Sequence, residues 1–334
     1  MPDAQRFDVI GGTAVRAILA ESRPKIVEIV RDAYRLHHAG ATINPDSYFL
    51  RFPDRPDARI IALPARLADG ADIAGIKWIS SFPGNHGIAL PRASAVVVLN
   101  DMATGFPYAC LEGSHISAAR TAASAALAAE LLHGRKQADR MAVIGAGPIA
   151  ATVIDYLLAA GWKIGAFRVH DLIAGRAAEF CHGLNAQDSR AAPAPSAAAA
   201  IDGAELVLFA TTAAKPHLDN PALFAPEQTV LHVSLRDLGV GVILSAQNIA
   251  DDVEHCLKAQ TSLHLAEQAT GGRKFVAGAI GDLIAGRVQP DRTRVRIFSP
   301  FGLGVLDLAV ARFVHEQATA SGRAATIEDF FVTA

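Results

Sequence analysis

The sequence is short of the features that mark secreted, membrane and nucleic-acid-binding proteins. It has only three cysteines in 334 residues, far apart, so a disulfide framework and a structural zinc site are both disfavoured. No apolar run approaches the ~20 residues of a membrane helix, and the first residues, Met1 to Arg6, lack the pattern of a signal peptide. The net charge of -2 argues against a basic nucleic-acid-binding surface. These absences predict a cytoplasmic protein without nucleic-acid or membrane partners.

What the sequence does have is enough apolar residues for two domains. Hydrophobic residues make up 51% of the chain, whereas single cores stop growing near ~250 residues. The N-terminal third contains short strand patterns separated by Pro, Gly, Asp and Asn, which predict a mostly antiparallel sheet. These strand patterns lie at residues 7–10, 48–52, 59–63, 73–79 and 95–99.

The pattern changes after about residue 116. An alanine-rich helix is predicted from Ser117 to His133, and strands and helices then alternate, with strands at 140–145, 164–170, 205–210 and 229–234. Such alternation is typical of a parallel sheet covered on both faces. The low-complexity segment 191–197 is interpreted as a crossover loop that leads into a short helix. A last strand at 295–298 and a helix at 303–316 end the pattern.

A glycine-rich loop is the most specific local motif. Gly145, Gly147 and Ala150 follow a buried strand and open a helix, in the G-x-G-x-x-A spacing that binds the pyrophosphate of a dinucleotide. The next strand ends at Asp171, a position that can bind ribose hydroxyls and repel a 2′-phosphate, which favours NAD over NADP. The alternative is a glycine turn of another doubly wound fold, with Asp171 as a helix cap. The residues predicted to contact the cofactor are Gly145, Ala146, Gly147, Pro148, Ile149, Asp171, Arg176, Thr211 and Ser234.

Charged residues stand in four otherwise apolar stretches, at Arg51, Lys77, Arg120 and Asp237. For a charge inside a strand the ordinary explanation is exposure on the solvent face, which applies to Arg51 and Lys77. Arg120 lies near the start of a helix, where a cation opposes the helix dipole. An anionic group is therefore expected near Arg120.

Together these stretches resemble the ornithine cyclodeaminase/mu-crystallin family, over residues 40–318. Within that family the sequence is most similar to the N-(2-amino-2-carboxyethyl)-L-glutamate dehydrogenases, the branch that makes 2,3-diaminopropionate for siderophores. The runs that carry the similarity to this branch are residues 60–65, 75–79, 90–95 and 109–114.

The resemblance implies an α/β fold with NAD as cofactor. A Rossmann NAD-binding domain, expected at residues 121–309, is inserted in an α+β substrate-binding and dimerisation domain, expected at residues 1–120 plus 310–334. Relatives usually form dimers through the domain that carries the antiparallel sheet, so the partner expected besides a small amino acid is a second copy of the chain.

The resemblance also assigns roles to the charged residues. Arg51, Lys77 and Arg120 match positions that hold substrate carboxylates, and Arg92 is expected beside them. Asp237 matches the acidic residue that faces the reacting amine, so Asp237 and Lys77 are the predicted catalytic residues. The planar donors of arginine and the point charge of lysine both suit carboxylates.

The expected reaction is NAD-dependent cleavage of N-(2-amino-2-carboxyethyl)-L-glutamate to 2-oxoglutarate and L-2,3-diaminopropionate. Cyclising relatives carry a turn rich in glycine and proline around the aspartate, whereas residues 235–236 and 238–239 are Leu-Arg and Leu-Gly, which disfavours ornithine. Ornithine cyclodeaminase, alanine dehydrogenase, ketimine reductase and a non-catalytic mu-crystallin-like binding protein remain alternatives. No metal is expected, because the twelve histidines are scattered without metal-ligand spacing.

Overall fold

The structure is a computed structural model that describes residues 6–68, 72–187 and 189–332. Residues 1–5, where the sequence lacks the pattern of a signal peptide, lie outside the described residues. The chain forms two compact units, one of Met1–Arg120 with Leu303–Ala334 and one of Thr121–Gly302. Within the described ranges, no helix is long and apolar enough to cross a bilayer.

Helices and strands follow one another as the alternating patterns predict. The α-helices are α1 (Gly12–Glu21), α2 (Arg23–His38), α3 (Ser114–His133), α4 (Pro148–Ala159), α5 (Arg176–Asn185), α6 (Ala197–Ile201), α7 (Val240–Ser245), α8 (Val253–Cys256), α9 (Ser262–Thr270), α10 (Ile280–Ile284) and α11 (Gly304–Ala320). The strands are β1 (Phe7–Ile10), β2 (Thr42–Ile43), β3 (Tyr48–Phe52), β4 (Arg55–Leu67), β5 (Ile73–Ser81), β6 (Ala93–Asp101), β7 (Pro107–Glu112), β8 (Gln137–Ile144), β9 (Lys163–His170), β10 (Ala191–Pro193), β11 (Leu206–Phe209), β12 (Thr229–His232), β13 (Gln247–Ala250), β14 (Val276–Ala279), β15 (Arg296–Ser299) and β16 (Ala325–Ile327).

The first unit is built on an eight-stranded sheet in the order β16-β1-β7-β6-β5-β4-β2, with β3 also paired to β4. Its pairs are antiparallel except β1 with β7, which confirms the predicted mostly antiparallel sheet. Helix α11 packs on β4, β5 and β6 as well as on α1 and α2. Most of its residues from Gly304 to Ala311 are fully buried, because an apolar helix face covers one face of the sheet.

A carboxylate fixes the start of α3. Glu112, the last residue of β7, accepts hydrogen bonds from the backbone N–H groups of Ser114 (2.7 Å) and His115 (3.1 Å) and from the Ser114 hydroxyl. An acidic group satisfies the unpaired N–H groups of a helix start and complements its dipole. Arg120 lies in the second turn of α3, and Lys77 lies on β5 of the same unit.

The second unit is a parallel eight-stranded sheet in the order β10-β9-β8-β11-β12-β15-β13-β14. Counted in chain order from β8, the first five strands follow the 3-2-1-4-5 order of the Rossmann fold, and β15, the eighth, occupies the place of the sixth strand beside β12. Every residue of β11, β12, β13 and β15 is buried, as expected for parallel strands covered on both faces. The predicted fold class is therefore confirmed.

Two sequence predictions differ from the observed elements. The segment 191–197 is not all loop, because Ala191–Pro193 pairs with β9 as a parallel edge strand, a location where proline is tolerated. The return to the first unit comes at Leu303 rather than at residue 310, because α11 packs on the first unit's sheet from its first turn.

Candidate active site

The glycine loop has the geometry that a pyrophosphate requires. Gly145 adopts φ 93°, and a Cβ at this position would stand 2.6 Å from the carbonyl oxygen of Ala210, so a larger residue would clash. Gly147 is the N-cap of α4, where it provides no side-chain cap and has open space where a Cβ would be. The helix start is thus accessible to an anion, and its N–H groups and dipole favour one. Ala146, Pro148 and Ile149 complete the loop and the first turn.

Asp171 follows β9 and is bonded to this loop. Its carboxylate accepts hydrogen bonds from the N–H groups of Ala146 (2.8 Å) and Ile173 (2.8 Å). Asp171 therefore fixes the loop and presents its charge beside it. Arg176 begins α5 five residues further along the chain. The residues present fit a dinucleotide whose adenosine ribose carries free hydroxyls, since a carboxylate at this place accepts hydrogen bonds from them.

Asp237 lies at the carboxyl edge of the same parallel sheet, fully buried. Its carboxylate accepts hydrogen bonds from the hydroxyls of Thr211 (2.5 Å) and Ser234, and His232 Nε2 lies 3.3 Å from Asp237 Oδ2. His232 is also fully buried, and its Nδ1 is within hydrogen-bond distance, 3.1 Å, of the Ser299 hydroxyl. Thr211 and Ser234, predicted as cofactor contacts, are thus brought together around Asp237.

These contacts determine the ionisation of Asp237. Burial alone would raise the pKa of Asp237. The His232 ring and the two hydroxyls together lower it by more than burial raises it, so the pKa is below the ordinary value of an aspartate. Hydrogen bonds to the charged form of a carboxylate have this effect. Leu235, in the turn before Asp237, has φ 75°, a left-handed conformation that costs a non-glycine residue about 1–2 kcal/mol. The cluster therefore keeps this buried carboxylate ionised at neutral pH.

A second cluster of charges lies in the first unit, over β5. Lys77 Nζ donates to Asp307 Oδ2 at 2.7 Å and to Ser117 Oγ at 3.1 Å. Arg120 Nε donates to Asp307 Oδ1 at 3.2 Å, and its Nη2 lies 3.4 Å from Ser117 Oγ. Lys77 is 2% exposed and Asp307 is fully buried. Two cations thus share one carboxylate, and the cluster of Lys77, Arg120 and Asp307 keeps one net positive charge.

Burial weakens the protonated form of Lys77. Desolvation lowers its pKa to about 8, the positive charge of Arg120 acts in the same direction, and Asp307 opposes both. At neutral pH the ammonium is still mostly protonated, but its charge is lost within the range in which enzymes work. A partly compensated, desolvated cation pair of this kind can bind one carboxylate strongly.

Arg51 and Arg92 are not part of this cluster. In the sheet register, Arg51 of β3 lies opposite Arg59 of β4, which in turn lies opposite Ser81 of β5. The Ser81 hydroxyl accepts a hydrogen bond from Arg92 Nε at 3.2 Å. Ser81 and Lys77 lie on the same face of β5, since side chains alternate along a strand. Arg51 is therefore on the face that carries Lys77, about 10 Å across and about 13 Å along the sheet from it.

The cations Lys77 and Arg120 were predicted from the sequence, but the residues that bind them were not. The anion expected near Arg120 is Asp307, which lies 187 positions further along the chain. An acidic residue in the apolar run Val305–Ala311 of α11 is the signal that could have identified it. His232 and Ser117 were also missed, because a histidine in a buried strand and a serine at a helix start have ordinary structural explanations.

Comparison with known proteins agrees with this architecture. The sequence model of the ornithine cyclodeaminase/mu-crystallin family matches residues 15–322. The chain belongs to this family. Together with the Rossmann sheet, the glycine loop and Asp171, membership identifies the chain as an NAD-dependent dehydrogenase of the CH–NH class, which confirms the predicted enzyme class and cofactor.

Three similar proteins illustrate the range of the family. Alanine dehydrogenase of Archaeoglobus fulgidus is 27% identical over 92% of this chain and 95% of its own. N-((2S)-2-amino-2-carboxyethyl)-L-glutamate dehydrogenase of Staphylococcus aureus is 27% identical over 78% of this chain and 79% of its own. The solved structure of an archaeal alanine dehydrogenase dimer with bound NAD is 25% identical, covers 98% of this chain and 100% of its own, and superposes with a TM-score of 0.87.

Proposed function

We propose that this enzyme oxidises N-(2-amino-2-carboxyethyl)-L-glutamate with NAD and releases 2-oxoglutarate and L-2,3-diaminopropionate, a siderophore precursor. The observation that carries the proposal is the set of cations on one face of the first unit's sheet. The cluster of Lys77, Arg120 and Asp307 supplies one net charge, and Arg51 and Arg92 extend the positive surface along the sheet. A substrate with three carboxylates can satisfy such a surface.

Lys77 and Arg120 would hold the α-carboxylate of the carbon that is oxidised. Both are anchored by Asp307 and Ser117, so their donors are fixed before the substrate arrives. Fixed donors reduce the entropy lost on binding and orient the reacting carbon. Arg51 and Arg92, which are more exposed, would bind the remaining carboxylates.

The dinucleotide would be held by the glycine loop at Gly145 and Gly147 and by Asp171. Bound NAD supplies the hydride acceptor for the substrate α-carbon. Loss of hydride from the α-carbon turns the secondary amine into an iminium ion, and loss of its N–H proton gives the imine. Water adds to the imine carbon, and the carbinolamine breaks its C–N bond to give the keto acid and the primary amine.

Asp237 would accept the protons that this sequence releases. Its low pKa keeps it ionised at neutral pH, so it acts as a base rather than as an acid in the first step. Because Asp237 is fully buried, we propose that protons reach it through the hydroxyls of Thr211 and Ser234, which donate to it. His232, whose Nε2 accepts the backbone N–H of Asp237 at 3.1 Å and lies 3.3 Å from Oδ2, would hold this residue in place.

Alanine dehydrogenase is the second candidate function, and one observation favours it. The single net charge of the cluster of Lys77, Arg120 and Asp307 suits an amino acid with one carboxylate. In that case Arg51 and Arg92 would be surface residues without a role in binding.

A substrate panel separates the candidates. The enzyme is incubated with NAD and, in parallel, with the glutamate-derived amine, alanine or ornithine, and NADH is followed by its absorbance. The proposal predicts NADH and 2-oxoglutarate from the first substrate and little or no proline from ornithine, whose cationic tail the arginines repel. NADH and pyruvate from alanine, with no reaction of the first substrate, would establish the second candidate instead.

We also propose a homodimer formed through the sheet of the first unit. The face opposite to α11 carries large apolar side chains that are exposed, and exposed apolar patches of this kind mark interfaces. These side chains are Tyr48, Leu50, Trp78 and Val96. A monomer in light scattering at micromolar concentration, or a dimer unaffected by Trp78→Glu, would contradict this.

A further inference from the structure

A cavity of about 320 Å³ lies within the second unit, at the edge of the parallel sheet where the strands begin. Arg135 precedes β8, Glu227 precedes β12, and Arg296 is the first residue of β15. The glycine loop follows the other end of β8, about 23 Å away along a strand of this length. The cavity is therefore separate from the dinucleotide site and takes no part in the reaction proposed above.

Arg296 lines this cavity and is 1% exposed. Its Nη2 donates to the carbonyl oxygen of Glu227 and lies 3.3 Å from the Thr229 hydroxyl. Its Nε and Nη1 are buried without a hydrogen-bond partner among the described residues. Burial and the nearby Arg292 lower the pKa of Arg296, and the carboxylates of Asp291 and Glu227 oppose this effect without cancelling it. A buried guanidinium with unpaired donors is unfavourable unless an anion compensates its charge.

The lining carboxylates, Glu205 and Glu227, form no side-chain hydrogen bond to Arg296 among the described residues, so its two buried donors stay unpaired. Glu205 is paired with Arg135 and accepts the N–H of Asp139 at 2.5 Å. Glu227 contributes its backbone carbonyl to Arg296, and its side chain is exposed. Arg292, with Nη2 3.5 Å from the His133 carbonyl oxygen, adds a further cation. Three arginines against two glutamates leave the cavity with one net positive charge.

His133 does not add a charge of its own. Burial lowers its pKa, its Nε2 lies 3.1 Å from the carbonyl oxygen of Gln137, and its Nδ1 lies 3.3 Å from the Thr229 hydroxyl. A carbonyl accepts only, so Nε2 donates and Nδ1 accepts from Thr229, which is the arrangement of a neutral ring. Thr229 then uses its oxygen to accept from Arg296, and the lining is organised around that arginine.

We propose that this cavity binds a small oxyanion, a phosphate or a short dicarboxylate, between Arg296 and Arg292. The volume is near the lower limit of ligand pockets, about 300 Å³, which suits an anion of a few heavy atoms. The net positive charge excludes a metal cation. The bound anion stabilises the second unit, because a ligand that binds only the folded state stabilises it by RT ln(1 + [L]/Kd) and so raises the melting temperature as its concentration rises.

The experiment titrates the full-length enzyme with inorganic phosphate and, separately, with succinate, in the presence of saturating NADH. Calorimetry gives the affinity and thermal melting gives the stabilisation. Wild type and the control Arg294→Gln should bind alike, because Arg294 is exposed and pairs with Asp291 outside the cavity. Arg292→Gln should weaken binding about tenfold or more, the usual effect of losing one charge-assisted hydrogen bond.

Saturable binding of either anion that depends on Arg292 supports the proposal, and the preferred anion identifies the class. Three results would overturn it: no saturable binding of either anion, equal binding by Arg292→Gln, or loss of binding when NADH saturates the glycine loop. Arg296→Met is a second variant, expected to fold without the unpaired charge and to lose the stabilisation by anion. If Arg296→Met melts as wild type does and still responds to anion, the proposal fails as well.

Discussion

Replacement of Asp307 by asparagine tests the cation cluster of the first unit. Asp307 is the carboxylate that Lys77 and Arg120 share. The asparagine would keep the shape of the side chain and leave two cations side by side in a buried place. Breaking a buried ion pair by removing one partner costs about 3–5 kcal/mol.

Deprotonation of Lys77 would reduce part of this loss of stability. Asp307 raises the pKa of Lys77, which is nevertheless only about 8. Without Asp307 that pKa falls further, so Lys77 gives up its proton near neutral pH and only Arg120 remains charged. We therefore expect a loss near the lower limit, about 3 kcal/mol, at pH 6.5. For a unit of this size that corresponds to a fall in melting temperature of about 6–12 °C.

The stability lost in the Asp307→Asn variant should be smaller at higher pH. In the wild type the pKa of Lys77 is about 8 when folded and 10.5 ordinarily, so the unfolded chain binds more protons between these values and stability from this group rises with pH. In the variant the rise begins at lower pH, because the folded pKa is lower. By pH 9 Lys77 is mostly neutral in both proteins, and only the pair of Arg120 and Asp307 still distinguishes them.

The assay is thermal melting followed by fluorescence at pH 6.5 and pH 9, with Asp72→Asn as the matched control. Asp72 forms an ion pair with Arg66 in the same unit, but both side chains are 38% exposed, so its loss should have little effect. A melting temperature of the Asp307 variant within the range of the control at both values of pH would refute the account of this cluster.

Three further predictions concern binding and catalysis. Asp237→Asn should bind NADH as wild type does and lose about 10²–10⁴-fold in kcat, and a near-normal kcat in a direct assay would make Asp237 a structural residue. NADH should bind more tightly than NADPH in fluorescence titration because Asp171 repels a 2′-phosphate, and the opposite order would implicate Arg176. The kcat/KM for the amino acid should fall above about pH 8 as Lys77 is deprotonated, whereas a constant value up to pH 9.5 would mean that its charge does not bind substrate.

The parts of the fold predicted correctly from the sequence are those with a strong periodic pattern. The second half of β8, Met141 to Ile144, is a run of buried residues followed by the glycine loop, and α4 follows with its own apolar spacing. The edge strand β10 was missed because Ala191–Pro193 has neither alternation nor β-branched residues, and only pairing with β9 makes it a strand. β4 extends from Arg55 to Leu67, beyond the predicted 59–63, because it pairs with β3 as far as Arg55 and with β5 as far as Leu67, through Pro64.

Within the candidate site, the residues of local motifs could be predicted from the sequence, whereas pairs of residues that are distant in the sequence could not. Gly145 and Asp171 belong to a local motif of fixed spacing, so their placement followed from the sequence. Asp307 meets Lys77 across 230 positions, and nothing local to either residue reveals the pairing. The same holds for His232 with Ser299, which lie on neighbouring strands that are distant in sequence.

The most direct test of the account uses the glutamate-derived substrate with deuterium at the glutamate α-carbon. The enzyme is incubated with this substrate and unlabelled NAD, and the NADH formed is analysed by mass spectrometry. If the enzyme oxidises the CH–NH group of this substrate, the NADH carries one deuterium and an equal amount of 2-oxoglutarate appears. Unlabelled NADH, or release of 2-oxoglutarate without NADH, would contradict the proposed reaction.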